Sequence, residues 1–247
     1  VLLEAIVYLV STVLTNWIIK PVISSFEKQK EFIADASHEL KTPLQSIIGR
    51  AELIENGIVR PDDLQNFGKK IRSEGQALLN MINDIMFLSK VESGVKAQSE
   101  HINLKSLSES VVDSLKEKAS KKGVTLVLDS EDLQMNFVRR YMSEILYNLI
   151  DNAIKYNKEN GIVNCKIFRQ EHKFFIVVKD TGIGIPKEDQ DRIFERFFCV
   201  DRSHSNKDST GLGLTIVKHI VEECHGTIDV DSKLGEGTTF TLAFEMA

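Results

Sequence analysis

Ile33-Ala-Asp-Ala-Ser-His38-Glu39-Leu40-Lys-Thr42-Pro43-Leu44 is the stretch on which the reading of this chain turns. Apolar residues at Phe26, Ile33, Leu40, Leu44, Ile47, Ala51 and Ile54 are separated by 7, 7, 4, 3, 4 and 3 positions. That is heptad spacing and predicts one long helix over residues 24–56 with a single buried seam. His38 and Glu39 fall off the seam, on the flank. Pro43 lacks an N–H and crowds the preceding turn, so a bend is expected just after the pair. A plain reading makes His38 a solvated surface histidine. The chemical reading makes it a nucleophile: a neutral imidazole can attack phosphorus while a neighbouring carboxylate, Glu39, takes its proton. Thr42 lies one turn along.

Gly57 should stop this helix, and Pro61-Asp62-Asp63 starts another with proline and acids in its first turn. Leu64, Phe67, Ile71, Leu78, Ile82, Ile85 and Leu88 give the second helix its own stripe. A short turn between two long helices makes an antiparallel hairpin. One hairpin buries only part of each seam, whereas two would close a four-helix bundle, so a homodimer is expected. The alternative is a monomer whose hairpin packs on its own downstream domain.

The pattern changes after Ser93-Gly94. Residues 104–122 read as amphipathic helix, 124–129 as strand, 135–156 as helix, and 161–170 and 173–180 as paired strands. Residues 187–199 read as helix, 200–210 as a polar loop, and 212–225 as helix closed by Gly226. Two final strands, 227–232 and 238–245, follow. Helices mixed with mostly antiparallel strands predict a two-layer α/β sandwich with helices on one face of a sheet. The expected domains are therefore 1–23 as a lead-in, 24–93 as the hairpin, 94–100 as linker and 101–247 as the sandwich.

Length and composition set bounds on these readings. The 247 residues suffice for two modest domains, and 42% hydrophobic with 27% charged residues is ordinary for a globular protein. A net charge of −5 argues against a general nucleic-acid binder. Cys165, Cys199 and Cys224 are few and scattered, which suits neither a disulfide framework nor a zinc site. The chain starts on Val rather than Met, which reads as a fragment or a processed product. Residues 1–19 are mostly apolar but carry Glu4, with Trp17 near their end and Lys20 directly after. They read either as the end of a transmembrane helix with its cytoplasmic flank, or as an amphipathic coiled-coil lead-in.

Four motifs in the sandwich need a common explanation. On the helix through residues 144–156, Asn148, Asn152 and Lys155 share one face and apolar residues the other. Amide oxygens suit Mg²⁺, which keeps waters and uses substrate phosphates as further ligands, and lysine neutralises phosphate. Asp180-Thr-Gly182-Ile-Gly184-Ile185-Pro follows an apolar strand; its glycines admit a ligand close to backbone. The Asp180 carboxylate can accept from adenine's exocyclic amine. Gly211-Leu212-Gly213-Leu214 opens a helix, where free amides bind phosphate oxygens. Gly235-Glu-Gly-Thr-Thr-Phe240 is a tight turn beside them. Taken singly, these motifs also fit a polar helix face, a glycine turn, a lone Gly-x-Gly and a hairpin.

In order, the four resemble the N, G1, G2 and G3 boxes of the GHKL ATPase family, and Arg192-Ile-Phe-Glu-Arg-Phe-Phe198 resembles the F box. Ser37 to Leu44 resembles the phosphoacceptor box of bacterial sensor histidine kinases. Together they resemble the orthodox histidine kinase core, with the phosphate-regulon type as the nearest subgroup. The resemblance implies a dimeric phosphotransfer hairpin followed by a Bergerat-type ATP-binding domain. It also implies ATP and Mg²⁺ as cofactors, a response-regulator receiver domain as partner, and a cell-membrane protein with this portion facing the cytoplasm. His38 would accept the γ-phosphoryl, Glu39 would act as general base, and Thr42 would position water for dephosphorylating the partner. Asn152 would hold Mg²⁺. Asn148 and Lys155 would lie near the phosphates, Tyr156 against the adenine, and Asp180 would select adenine. Gly182, Gly184, Gly211 and Gly213 would form backbone walls, and Ile185, Thr210, Leu212 and Leu214 would be further nucleotide contacts. Residues 200–210 would be the ATP lid.

Two departures stand out. Cys199 occupies a place where the family often has a phosphate-facing arginine, with Arg196 and Arg202 as candidate substitutes, and the lid lacks the glycine pair that commonly precedes Thr210. The competing function is therefore a nucleotide-binding dimer that regulates its partner by docking with weak or lost transfer.

Overall fold

The computed structural model describes residues 8, 11–12, 15–94, 97–200 and 210–246. The chain divides by contact into two units, Val1–Leu78 and Leu79–Ala247. The division falls within the second long helix, upstream of the expected linker at 94–100. Val95 and Lys96 of that linker, Asp201–Ser209 of the expected lid, and most of residues 1–14 lie outside the described residues.

The first unit is helical. A π-helical turn, Thr15–Ile19, leads directly into helix α1, Lys20–Glu55, which carries Pro43 in its interior. The helix ends where the sequence predicts. Gly57 adopts φ +66° and donates to Ile54 O at 3.1 Å, while Ile58 N–H reaches back to Leu53 O at 3.0 Å. This pair of bonds satisfies the last carbonyls and needs the left-handed conformation that glycine adopts without strain. Pro61–Asp63 forms a 3-10 turn, and α2, Leu64–Glu92, follows. Arg50 on α1 and the largely buried Glu74 on α2 form an ion pair at 3.3 Å that ties the hairpin together. The predicted seam is only partly covered: Phe26, Ile33 and Leu44 are exposed. Among the described residues no helix is long and apolar enough to cross a membrane.

The second unit adds β1 (Glu100–Asn103), α3 (Leu104–Lys121), β2 (Thr125–Ser130) and β3 (Gln134–Phe137) to the end of α2. It continues with α4 (Arg139–Lys155), β4 (Ile162–Gln170), β5 (Lys173–Asp180), α5 (Gly213–Glu223), β6 (Thr227–Lys233) and β7 (Gly237–Glu245). The sheet order is β2-β4-β5-β7-β6, with β2 and β4 parallel and every other pair antiparallel. Helices α3, α4 and α5 pack against one another and against the sheet. Their apolar stripes, such as Ile145, Leu149 and Ile216, face the inward residues Val163, Cys165, Ile176, Val178 and Leu242. Each such side chain, when fully buried, contributes about 1.5–3 kcal/mol.

Three expectations are corrected. Residues 134–137 form strand β3 paired with β1, so α4 begins at Arg139 rather than 135. Phe137 explains the change: its ring stands edge-on to the stacked pair Phe174 and Phe244 in the core. Residues 187–199 are a 3-10 turn, Lys187–Asp189, and a chain of turns, not a helix. Phe197 sits at φ +59° and gives its N–H to Gly211 O at 2.9 Å, which a continuing helix could not do. Finally, His225 rather than Gly226 takes the left-handed position after α5, at φ +54°. Gly226 is needed for space, since a Cβ there would lie 2.6 Å from the Phe244 ring.

Candidate nucleotide site and phosphoacceptor helix

In the first unit, His38 and Thr42 are exposed on α1 and Glu39 is half-buried beside them. Thr42 Oγ1 donates to His38 O at 3.4 Å. Pro43 has no N–H for the Glu39 carbonyl one turn back, so that acceptor is released beside the histidine. His38 is thus open to solvent, as are the seam residues Ile33 and Leu44.

In the second unit, a cavity of about 380 Å³ opens between α4 and the loops that follow β5 and precede α5. Asn152, Lys155 and Tyr156 line it from the end of α4. Asp180, Gly184 and Ile185 line it from the loop after β5, and Leu214 lines it from α5. Asp180 is buried, and its Oδ1 accepts from Gly182 N at 2.7 Å and from Thr238 N at 3.3 Å. Burial pushes its carboxyl above the usual carboxylate range, and the two N–H donors oppose that rise. Lys155 is buried, with Nζ 5.3 Å from the centroid of the Tyr156 ring, a cation–π arrangement.

The glycines act by close approach. Gly184 sits at φ +69°, and a Cβ there would fall 2.1 Å from Lys233 O. Ile185 N–H donates to Ser232 Oγ at 2.8 Å, which pins the loop to the end of β6. Gly182 is buried beside the Tyr156 carbonyl. At the start of α5, a Cβ on Gly213 would meet Asn148 Oδ1 at 2.5 Å. Asn148 is thus placed against the helix start, with Nδ2 bonded to Glu144 O, and does not line the cavity. Gly211 packs on the Phe197 backbone, and Leu212 is fully buried. Thr210 Oγ1 donates to Asp84 Oδ2 on α2 at 3.0 Å and accepts from Leu212 N at 3.3 Å.

Sequence reasoning missed several lining residues: Ile193 and Phe198 from the turns after β5, and Thr238 and Phe240 on β7. Ile193 and Phe198 lie in the stretch that resembles the F box, and Thr238 and Phe240 in the last of the four motifs, but the sequence alone assigns them no direct ligand role. Cys199 does line the cavity. Arg196, proposed from the sequence as its substitute, is instead paired with Glu92, whose Oε1 also lies 3.2 Å from His219 Nε2. Arg202 lies outside the described residues. Among the described residues there is no group of three or more His, Cys, Asp or Glu able to hold a metal. The amide oxygen of Asn152 is a cation donor that suits Mg²⁺ carried with phosphate.

A buried acceptor carboxylate, a backbone cradle that any side chain would fill, and a lysine with a tyrosine at one wall fit an adenine nucleotide. Residues 138–247 match the family described as "Histidine kinase-, DNA gyrase B-, and HSP90-like ATPase", and residues 28–94 match "His Kinase A (phospho-acceptor) domain". The chain belongs to the sensor histidine kinase family. It is 34% identical over 224 residues to the signal transduction histidine-protein kinase ArlS of Staphylococcus haemolyticus, covering 90% of this chain and 49% of that protein. Among solved structures, the Acinetobacter baumannii histidine kinase AdeS aligns with TM-score 0.72 at 27% identity, over 85% of this chain and 98% of that one. Histidine kinase ThkA, solved in complex with response regulator protein TrrA, shares the fold with TM-score 0.73 at 24% identity, over 91% of this chain and 64% of that one. The chain spans about half the length of the curated relatives it matches, or less. None of these names supports the phosphate-regulon subgroup suggested by the motifs. In this chain the ATPase-family match at residues 138–247 contains the cavity-lining residues, and the phosphoacceptor-domain match at residues 28–94 contains most of the hairpin.

Proposed function

We propose that this chain is a kinase core that transfers the γ-phosphoryl of ATP to His38 and passes it to an aspartate of a response regulator. The observation that carries the proposal is the pairing, in one polypeptide, of an exposed, carboxylate-flanked histidine with a cavity lined by Asn152, Lys155, Tyr156 and Asp180. A ring nitrogen of His38 would attack the γ-phosphorus. The bond from that phosphorus to the bridging oxygen of ADP would break, and Glu39 would take the ring proton. In the cavity, Asp180 would accept from the adenine amine, Tyr156 would pack on the base and Lys155 would offset phosphate charge. Asn152 would hold Mg²⁺, which would neutralise charge developing on the phosphates.

The uncovered apolar seam of α1 supports a homodimer, in which two hairpins close one four-helix bundle. Exposed Thr42, one turn from His38, supports a phosphatase step in which it positions water against a phosphorylated regulator. The apolar run 1–19, with Trp17 near its end and Lys20 directly after it, supports attachment to the cell membrane, with the core on the cytoplasmic side.

A second reading, a nucleotide-binding scaffold with weak transfer, is favoured by one observation. Cys199 lines the cavity where a guanidinium would neutralise charge, and a thiol cannot do so. Cys199→Arg is expected to raise the autophosphorylation rate at least roughly tenfold, with about 100- to 1,000-fold as the worth of one fully placed charge-stabilising donor. Labelled ATP with an acid-lability assay measures it, since phosphohistidine is lost in acid and phosphoserine is not. An unchanged or lower rate would reject this role for Cys199. Wild-type protein that binds ATP but takes up no acid-labile label would favour the scaffold.

A further inference from the structure

Two carboxylates on the last turns of α2 engage two residues that phosphate chemistry would claim. Asp84 accepts a hydrogen bond from the hydroxyl of Thr210, the residue just before the Gly211–Leu214 motif. Glu92 pairs with Arg196, the cation proposed from the sequence to face phosphate, and also contacts His219 on α5. Asp84 and Glu92 are eight residues apart, just over two helical turns and roughly 12 Å along α2. A threonine has a single O–H donor, so Thr210 cannot give it to Asp84 and to a phosphate oxygen at once. A guanidinium held by a carboxylate is likewise less able to serve a phosphate, and each carboxylate left nearby would repel the triphosphate.

We propose that α2 carries a two-carboxylate clasp, Asp84 and Glu92, that withholds Thr210 and Arg196 from the nucleotide's phosphates. Phosphate binding and the clasp then exclude each other, so nucleotide loading releases the end of the phosphoacceptor hairpin from the ATP-binding fold. Anything that strains the end of α2 would, by the same linkage, change nucleotide affinity in return. The proposal rests on the nucleotide half of the function given above, and not on phosphoryl transfer.

Two measurements test it. In the unaltered chain, saturation with a non-hydrolysable ATP analogue and Mg²⁺ is expected to speed amide hydrogen exchange of residues 84–92 at least tenfold. In the Asp84→Ala/Glu92→Ala variant, affinity for a fluorescent ATP analogue is expected to rise more than fivefold. Removing Asp84 also removes a like charge that acts on Glu144, which favours a folded variant, and the exchange measurement needs no variant at all. Unchanged or slower exchange, or an unchanged or weaker affinity in the folded variant, overturns the clasp. Wild-type protein that does not bind the analogue overturns both the clasp and the kinase. Normal analogue binding with no phosphate on His38 removes only the transfer reading, and the exchange result then stands for the clasp by itself.

Discussion

Asp180→Asn is expected to weaken ATP binding by roughly ten- to a hundredfold while leaving the nucleotide-free fold as stable as before, or more so. The loss follows from hydrogen-bond geometry. Gly182 and Thr238 both donate to Oδ1, so an amide oxygen must take that place and the NH₂ must take the other. A donor would then meet adenine's donor, and a hydrogen bond to a charged group is worth about 1.5–3 kcal/mol. The stability effect has the opposite sign. Burial raises the Asp180 carboxyl pKa, so the folded chain holds its proton more tightly than the unfolded chain does. The stabilisation linked to that proton is full below the unfolded pKa and is lost as pH rises through the higher folded value. At neutral pH the ionised group is therefore a burden on the free fold, and the amide relieves it. In the wild type, ATP binding should begin to fail on acidification at a higher pH than an ordinary aspartate would give. Calorimetric titration across pH, with thermal melts of both proteins, checks these signs. Equal ATP affinity in the variant would remove Asp180 from adenine recognition.

Leu44→Glu is expected to turn a dimer into a monomer. Leu44 and Ile33 belong to the heptad seam of α1 yet remain exposed in one chain, with relative exposures of 46% and 59%. In a four-helix bundle they would be buried against the partner hairpin. A glutamate would place a charge in that apolar seam in each of two copies, and the dissociation constant should rise more than roughly 100-fold. Sedimentation at fixed concentration reads the change, and circular dichroism checks that the helices persist. A variant that remains dimeric would move the dimer contact away from this seam.

The hairpin was legible because its signals are local. Seven apolar positions mark the seam, and Gly57 with Pro61 marks the turn. Most of the sheet was legible for the same reason, since β4, β5 and β6 alternate and, like β7, are bounded by turn residues. The misses are tertiary in origin. Gln134–Phe137 is a strand because Phe137 completes an aromatic cluster with Phe174 and Phe244, residues distant in sequence. The turns before Phe198 exist because Phe197 bonds to Gly211 across the site. The backbone arrangement of the cavity could be read from its glycines. The partners of Thr210 and Arg196 could not, because Asp84 and Glu92 look like ordinary solvated residues of an amphipathic helix.

The transfer itself is tested most directly by locating the phosphoryl group. After incubation with Mg²⁺ and ATP, mass analysis at neutral to alkaline pH should find one added phosphoryl group on the peptide that contains His38. His38→Ala should carry none, while still binding ATP as the wild type does. Phosphate on another residue, or equal incorporation in the His38→Ala variant, would contradict the account.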